Sequence, residues 1–390
     1  MGARASPSLS FLLAASAALT GHAPARADET GSEQYAGYRF NVYSEDVLSA
    51  PALGDPRRYK VYSQQFLLNT TIGNRYALSV NATHEVMSGS SPWYVLPGPG
   101  GKPIQVLSGA TIRDHRNAAT VALTHDAGGN DTTTISATYS QERDYHSTAL
   151  GAERTLPLNA ALTLGFGGSF SHDRIEPFDA SLYDRIQRAE KNTASALASL
   201  SLVLDRVSAI ESGIQLNYQT GYLSDPYKLV SVGDALDPDT RPDRRTEAAW
   251  LVRYRRAFGE NAALHLDSHL AANSWGQHSL TLEANWYQSL RDGWQLVPGV
   301  RYYSQSRARF YAPFFAAGSG PDFSSDYRLG AFGAAAANLN LRKRIDHWEF
   351  SAGGERYHAT TGYALGGTAL ADPATVSYTR IFAGLDYHFD

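Results

Sequence analysis

Thr379-Arg380-Ile381-Phe382-Ala383-Gly384-Leu385-Asp386-Tyr387-His388-Phe389 alternates without a slip. Ile381, Ala383, Leu385, Tyr387 and Phe389 take one face; Arg380, Phe382, Gly384, Asp386 and His388 take the other. A period of two marks a β-strand. Its apolar row finishes on two aromatics, an ending for which a soluble protein has little use. The closing strand of an outer-membrane barrel needs it, because one face meets lipid, the other meets the lumen, and aromatics sit at the interface.

The order Gly384-x-x-Tyr387-x-Phe389 also resembles the C-terminal signal by which bacterial barrels are handed to their assembly machinery. Asp390 departs from it, placing a charge after the usual terminal aromatic. The other end of the chain agrees on compartment. Arg4 precedes an apolar run from Leu9 to Leu19, and Ala25-Arg26-Ala27 forms an A-x-A site. Residues 1–27 read as a secretory signal peptide cut after Ala27, which leaves 28–390 as one barrel domain. No later run of about 18 apolar residues offers a transmembrane helix. The chain has no cysteine, which excludes disulfides, haem attachment through CxxCH and iron–sulfur ligation. The 34 basic and 38 acidic residues form no basic block, so nucleic acid is not an expected partner.

Outward from the last strand, alternating segments are joined by two kinds of connection. Ile72-Gly73-Asn74, Ala127 to Asn130, Pro157-Leu158-Asn159, Asp205-Arg206-Val207, Gly259-Glu260-Asn261, Arg291-Asp292-Gly293 and Arg344-Ile345-Asp346 read as hairpin turns. Between them lie mostly longer connections: Glu45 to Arg58, Ser88 to Arg116, Arg174 to Arg188, Ser224 to Arg244, Ala308 to Ser325 and Thr361 to Thr375, with short ones near Arg143 and Trp275. Short periplasmic turns alternating with long external loops predict an antiparallel up-and-down transmembrane barrel of about sixteen strands, both termini periplasmic. Leu162, Leu164, Phe166 and Phe170 alternate with Thr163, Gly165, Gly167, Ser169 and Ser171, and other segments repeat this pattern. Closing the sheet removes the edges that lipid cannot satisfy.

Ser88-Gly89-Ser90-Ser91-Pro92-Trp93, Ser108 to Arg116 (with Arg113, Asp114 and Arg116), and Ser140-x-Glu142-x-Asp144-Tyr145-x-Ser147 resemble motifs of a bacterial outer-membrane family known as domain of unknown function 3570. The resemblance implies an outer-membrane barrel in a Gram-negative bacterium, with no established activity and no catalytic residues to carry over. It implies outer-membrane lipid and the barrel assembly machinery as partners. Gene association within the family points to exported thioredoxin-like or flavinylation proteins as further partners. No cofactor is implied.

His265, Asp267 and His269 share one strand face, roughly 6.5–7 Å apart along the chain. Such a set can hold Zn²⁺ or Cu²⁺. Arg253 and Arg255 on the preceding strand count against a cation, and with Glu283 on the following strand favour a solvated polar ladder. The lumen face is expected to carry Arg39, Arg75, Arg301, Arg328, Arg342 and Arg380, facing Glu85, Glu142, Asp144, Glu349, Glu355 and Asp386. Opposed basic and acidic walls would sort small polar solutes in a transverse field; the other reading is that the pairs only fill and rigidify a narrow barrel. The Ser88 to Arg116 segment, with Ser91, Pro92 and Trp93, is too long for a plain hairpin. It either folds in as a constriction, packs over the mouth, or caps it from outside. Asp234, Asp237, Asp239 and Asp243 lack an EF-hand pattern and sit among Arg241, Arg244 and Arg245, so they read as a surface loop. Gly-x-Ser-x-Gly, HExxH and P-loop patterns are absent, and His146 and Ser147 would point to opposite faces, so no enzyme is expected. The sequence thus predicts a channel or transport barrel for small polar solutes or metal ions. The alternative is a plugged barrel anchoring exported redox partners.

Overall fold

The computed structural model describes residues 34–48, 52–108, 112–368, 370 and 374–389. The expected signal peptide and Asp390 lie outside the described residues. Sixteen antiparallel strands close into one barrel. In chain order they are Tyr35–Glu45, Lys60–Ile72, Tyr76–Gly89, Ile112–Asp126, Thr132–Gln141, Tyr145–Pro157, Leu162–Ile175 and Ala189–Asp205. The second half comprises Ser208–Gly221, Arg244–Phe258, Ala262–Asn273, His278–Ser289, Trp294–Gln305, Phe332–Ile345, Trp348–Thr360 and Tyr378–His388. Each pairs with the next, and the last pairs with the first, from Tyr35↔His388 to Glu45↔Tyr378. The strand number, the closing pair and the short turns are those the alternation predicts. No described helix is long and apolar enough to cross a membrane.

Turn chemistry fixes the periplasmic side. Asp292 and Gly293 both hold positive φ (57° and 72°), as does Asp346 (50°), which the tight reversal between strands requires. The opposite side carries the loops, here named L1 (46–59), L2 (90–111), L3 (142–144), L4 (176–188), L5 (222–243), L6 (274–277), L7 (306–331) and L8 (361–377).

The faces follow the alternation. Phe166, Phe170, Ile214, Val300 and Ile381 stand outward, 44–60% exposed. Exposed apolar side chains on every flank of a closed sheet form the belt that lipid covers. Asp386, between outward Leu385 and Tyr387, is only 5% exposed and lies inside.

The closing seam is locked from within. Arg39 donates to Asp386 through two parallel bonds of 2.5 and 2.6 Å. Two glycines make room for the pair. A Cβ on Gly37 would lie 2.3 Å from Asp386 Oδ1, and one on Gly384 would lie 2.6 Å from Arg39 Cδ.

Candidate functional site: a polar lumen beneath interlocked loops

The lumen has two unlike halves. Cross-strand register aligns Glu211, Arg253, Asp267, Glu283 and Arg301 on five successive strands. Bases and acids are therefore interspersed along one arc and pair sideways, so here they do not face each other across the lumen as opposed walls. Arg253 reaches Glu211 at 3.3 Å, Arg255 reaches Asp267 at 2.7 Å, and Arg380 lies 3.7 Å from Glu355. Arg301 lies over the Tyr357 ring, 5.8 Å from its centroid. Sideways pairing is what neighbouring strands about 4.8 Å apart permit; a partner across the lumen is out of reach.

The other arc, from Ile112 to Asp205, presents mostly small side chains. Thr120 and Thr138 share a hydrogen bond of 2.9 Å, and Thr124 and Thr134 one of 2.8 Å. Ser171, Ser169, Gly167 and Gly165 line the next wall, opposite Thr193, Ser195, Leu197 and Ser199. Ser169 and Leu197 face inward yet remain exposed, Leu197 by 38%.

The His265–Asp267–His269 face is lumen-directed, but it is not assembled around a cation. Asp267 accepts from Arg255 and lies 3.9 Å from Arg253. The His265 ring packs on Tyr287 at 4.3 Å. A group better spaced for a metal comes from Asp114, Glu142 and Asp144, whose ligand oxygens lie within 4.8 Å of one another and are buried. Arg116 already brings positive charge there, 4.0 Å from Glu142 and 3.0 Å from Glu85. Glu142 and Asp144 thus belong to L3 at the external rim and do not line the lumen wall.

Three other expectations change for local reasons. Arg75 sits exposed in the periplasmic turn before Tyr76. Arg113, expected in the Ser88 to Arg116 connection, lies instead in the strand Ile112–Asp126 and stands exposed on its outer face, since Asp114 and Arg116 take the inner one. Arg328 belongs to the 3-10 turn Tyr327–Leu329 of L7, which Asp326 caps by accepting from the Arg328 amide.

The loops themselves are built like a small core. L2 forms a hairpin, Pro92–Pro97 with Pro103–Leu107, and its second arm pairs in parallel with Ala52–Leu53 of L1. Gly89, where the chain leaves the barrel, has φ 137°, and a Cβ there would strike the Arg58 carbonyl at 2.4 Å. That accounts for the glycine of the Ser88-Gly89-Ser90-Ser91-Pro92-Trp93 motif. Ser90, Ser91 and Ser108 are fully or almost fully buried, and the Ser91 amide donates to Ser108 Oγ at 2.9 Å.

L5 and L7 supply the centre. Lys228, Arg241 and Arg328 meet Asp225, Asp239 and Asp326, three cations against three carboxylates. Arg241 bonds Asp239 at 2.7 Å and Asp326 at 2.8 Å; Arg328 bonds Asp225 at 2.7 Å and also Asp326. Burial by itself raises the Asp326 carboxyl, but Arg328, Lys228 and Arg241 together hold it well below its ordinary range. Lys228 also donates to the Pro92 carbonyl at 2.9 Å. L2 and L5 are rooted six strands apart in the ring, so this bond crosses the mouth. On the far side, Arg58 of L1 pairs with Glu45 at 2.6 Å and lies 5.6 Å from the Tyr327 ring centroid of L7. Tyr227 of L5 donates to Asp144 of L3 and accepts from the Phe178 amide of L4. The long Ser88 to Arg116 segment therefore packs into a cap shared with its neighbours.

Sequence reading missed this cap. It took Asp239 for a surface carboxylate, whereas Asp239 is 3% exposed. The available signal was the repeated Asp-x-Arg, Asp239-Thr240-Arg241 and Asp326-Tyr327-Arg328.

A family model described as "Protein of unknown function (DUF3570)" matches residues 9–380. The chain belongs to that family. This DUF3570 member is an outer-membrane barrel: a closed even-stranded sheet, apolar outside and polar within, is a structure that spans that membrane. No curated protein matches the chain. Among solved structures it is similar to the siderophore receptor PirA of Pseudomonas aeruginosa (12% identity, TM-score 0.45, covering 91% of this chain and 62% of that one). It is also similar to OccAB1 of Acinetobacter baumannii (8%, 0.45, 95% and 100%). A third is a bacterial polysaccharide outer membrane secretin (8%, 0.47, 92% and 100%). The chain thus spans less than two thirds of PirA.

Proposed function

We propose that the barrel is a gated passage for small polar solutes. The observation that carries this reading is the two-sided lumen. A hydroxyl-lined stretch leaves inward-facing Ser169 and Leu197 exposed below the Asp173–Lys191 pair, while Arg253–Glu211, Arg255–Asp267 and Arg380–Glu355 stand on the opposite arc. A solute moving along the hydroxyl arc would exchange hydration for Ser and Thr hydroxyls, with the charged arc orienting its dipole. The interlocked loops reach across the external mouth through the Lys228–Pro92 bond, so on this reading passage requires them to part. Planar-bilayer conductance of the purified protein tests this. The wild type should show rare small openings, and a variant lacking the Pro92–Leu107 hairpin should conduct steadily. No conductance in either protein would sink the proposal.

A second reading, a plugged barrel anchoring exported thioredoxin-like or flavinylation proteins, draws support from the charge-balanced centre of the cap. A hairpin deletion that leaves the barrel folded and sealed would favour it.

A further inference from the structure

The outer rim of the barrel is uneven. Above the apolar belt, one outward row runs His84↔Asn117↔Gln141↔His146↔Arg174↔Glu190 across six consecutive strands. At about 4.8 Å per strand it is roughly 24 Å long. His115 stacks on His84, 6.1 Å between ring centroids. His172, one step lower, bonds Asn192 at 2.9 Å. Arg113, Arg143 and Arg188 stand exposed along the same edge. Directly beneath lie Tyr139, Leu150 and Phe170, each at least half exposed, where the belt meets the headgroup layer.

The row has donors to spare. Its carboxylates, Glu176 and Glu190, are held loosely: Arg174–Glu176 at 3.9 Å, Arg188–Glu176 at 4.0 Å and Arg188–Glu190 at 3.1 Å, all four side chains 43–53% exposed. Exposed pairs of this kind contribute little and exchange readily. Elsewhere on the rim, Arg356 is closed on Asp46 by a two-pronged pair.

We infer that this row is a docking strip for a phosphorylated glycolipid of the outer leaflet. Acyl chains would lie on Tyr139, Leu150 and Phe170, and headgroup phosphates would take Arg174, Arg188 and the imidazole donor of His146; His84 spends its Nδ1 on Asn117 at 2.8 Å. Charge complementarity selects this occupant. Arginine binds phosphate with two parallel bonds, and the strip sits at the depth where an anionic headgroup meets an aromatic girdle. The inference is independent of solute passage, since every residue in it faces away from the lumen.

Binding of bis-phosphorylated lipid A to the full-length protein in detergent, followed by native mass spectrometry, tests it. The triple variant H146A/R174S/R188S should lose at least tenfold in affinity, while dephosphorylated lipid A should bind the wild type as weakly as the variant. Glu176→Gln with Glu190→Gln should bind several-fold tighter, an outcome that does not depend on a weakened variant folding. Equal binding of the two lipids, or no tightening in the glutamine variant, would overturn the strip. Full displacement by inorganic phosphate at equal concentration would also overturn it, because the site would then take a free anion and not a lipid.

Discussion

Arg39 and Asp386, 347 residues apart, grip each other with two parallel bonds across the seam where the first and last strands meet. As a solvated lumen charge Asp386 would tolerate Asn. Its side chain is instead 7% exposed and engaged at both oxygens. Asp386→Asn should therefore cost about 1–3 kcal/mol, the worth of charge-assisted bonds in a partly buried pair. Arg39→Ala should cost a similar amount, and the double variant little more than either single one. Denaturant titration of the folded, heat-modifiable band checks this. An unchanged midpoint for Asp386→Asn would show that the seam does not depend on the pair.

One residue away the physics differs. Leu385 faces lipid, so Leu385→Arg should cost on the order of 2–4 kcal/mol if it lies near mid-depth. Truncation at Ala383 should block assembly altogether, since the closing strand would lack most of its pairing. Recovery of a heat-modifiable barrel from the truncated chain would remove the case for closure by this strand.

The centre of the cap should behave as a unit. Asp326 is 0% exposed and meets Arg328, Arg241 and Lys228. Asp326→Asn leaves three buried cations facing two carboxylates, a local loss of about 3–5 kcal/mol. L5 and L7 should become protease-sensitive while the barrel stays intact. A loop layer that resists protease as well as the wild type would argue against a shared centre.

The contact between L3 and L5 should depend on pH. Burial pushes the Asp144 carboxyl up to about 6 from an ordinary 3.8, opposed by the bond from Tyr227 and aided by Asp114. Between those values the folded form holds the proton and the unfolded form does not. Stability from this group therefore falls as pH rises through that window, by about 2–3 kcal/mol in all. Hydrogen exchange in 142–145 and 222–228, corrected for intrinsic rates, should be slower at about pH 5 than at about pH 7. Asp144→Asn should remove the difference. A wild type equally protected at both would contradict the assignment.

The barrel was legible because a period of two repeats in every strand and each turn carries its own chemistry. Strand number, closure and the faces of Ile381 to Tyr387 follow from that alone. The lumen was half legible. Alternation places Arg253 and Arg255 beside Asp267 correctly, but not where around the ring more distant residues sit, so Arg380 and Glu355 read as facing walls when they are lateral neighbours. The cap was hidden because its bonds join residues far apart in sequence. Lys228 and Pro92 are separated by 136 positions, and nothing local marks them as partners. Arg75 and Arg328 show a smaller limit: at an element boundary, one residue decides between wall and turn.

The loops over the mouth come from both ends of the chain. Arg58, early in it, donates to the Ala374 carbonyl 316 residues later and rests beside Tyr327. A ring without its last loop cannot make the Arg58–Ala374 bond, so this corner of the lid can set only after the final strands are in place. A chain still short of its final strands lacks the Ala374 carbonyl that holds Arg58, and full protection of the L1 segment around Arg58 from protease should arrive only with the finished ring. Sealing then doubles as a certificate of completion, written by residues that take no part in closing the sheet.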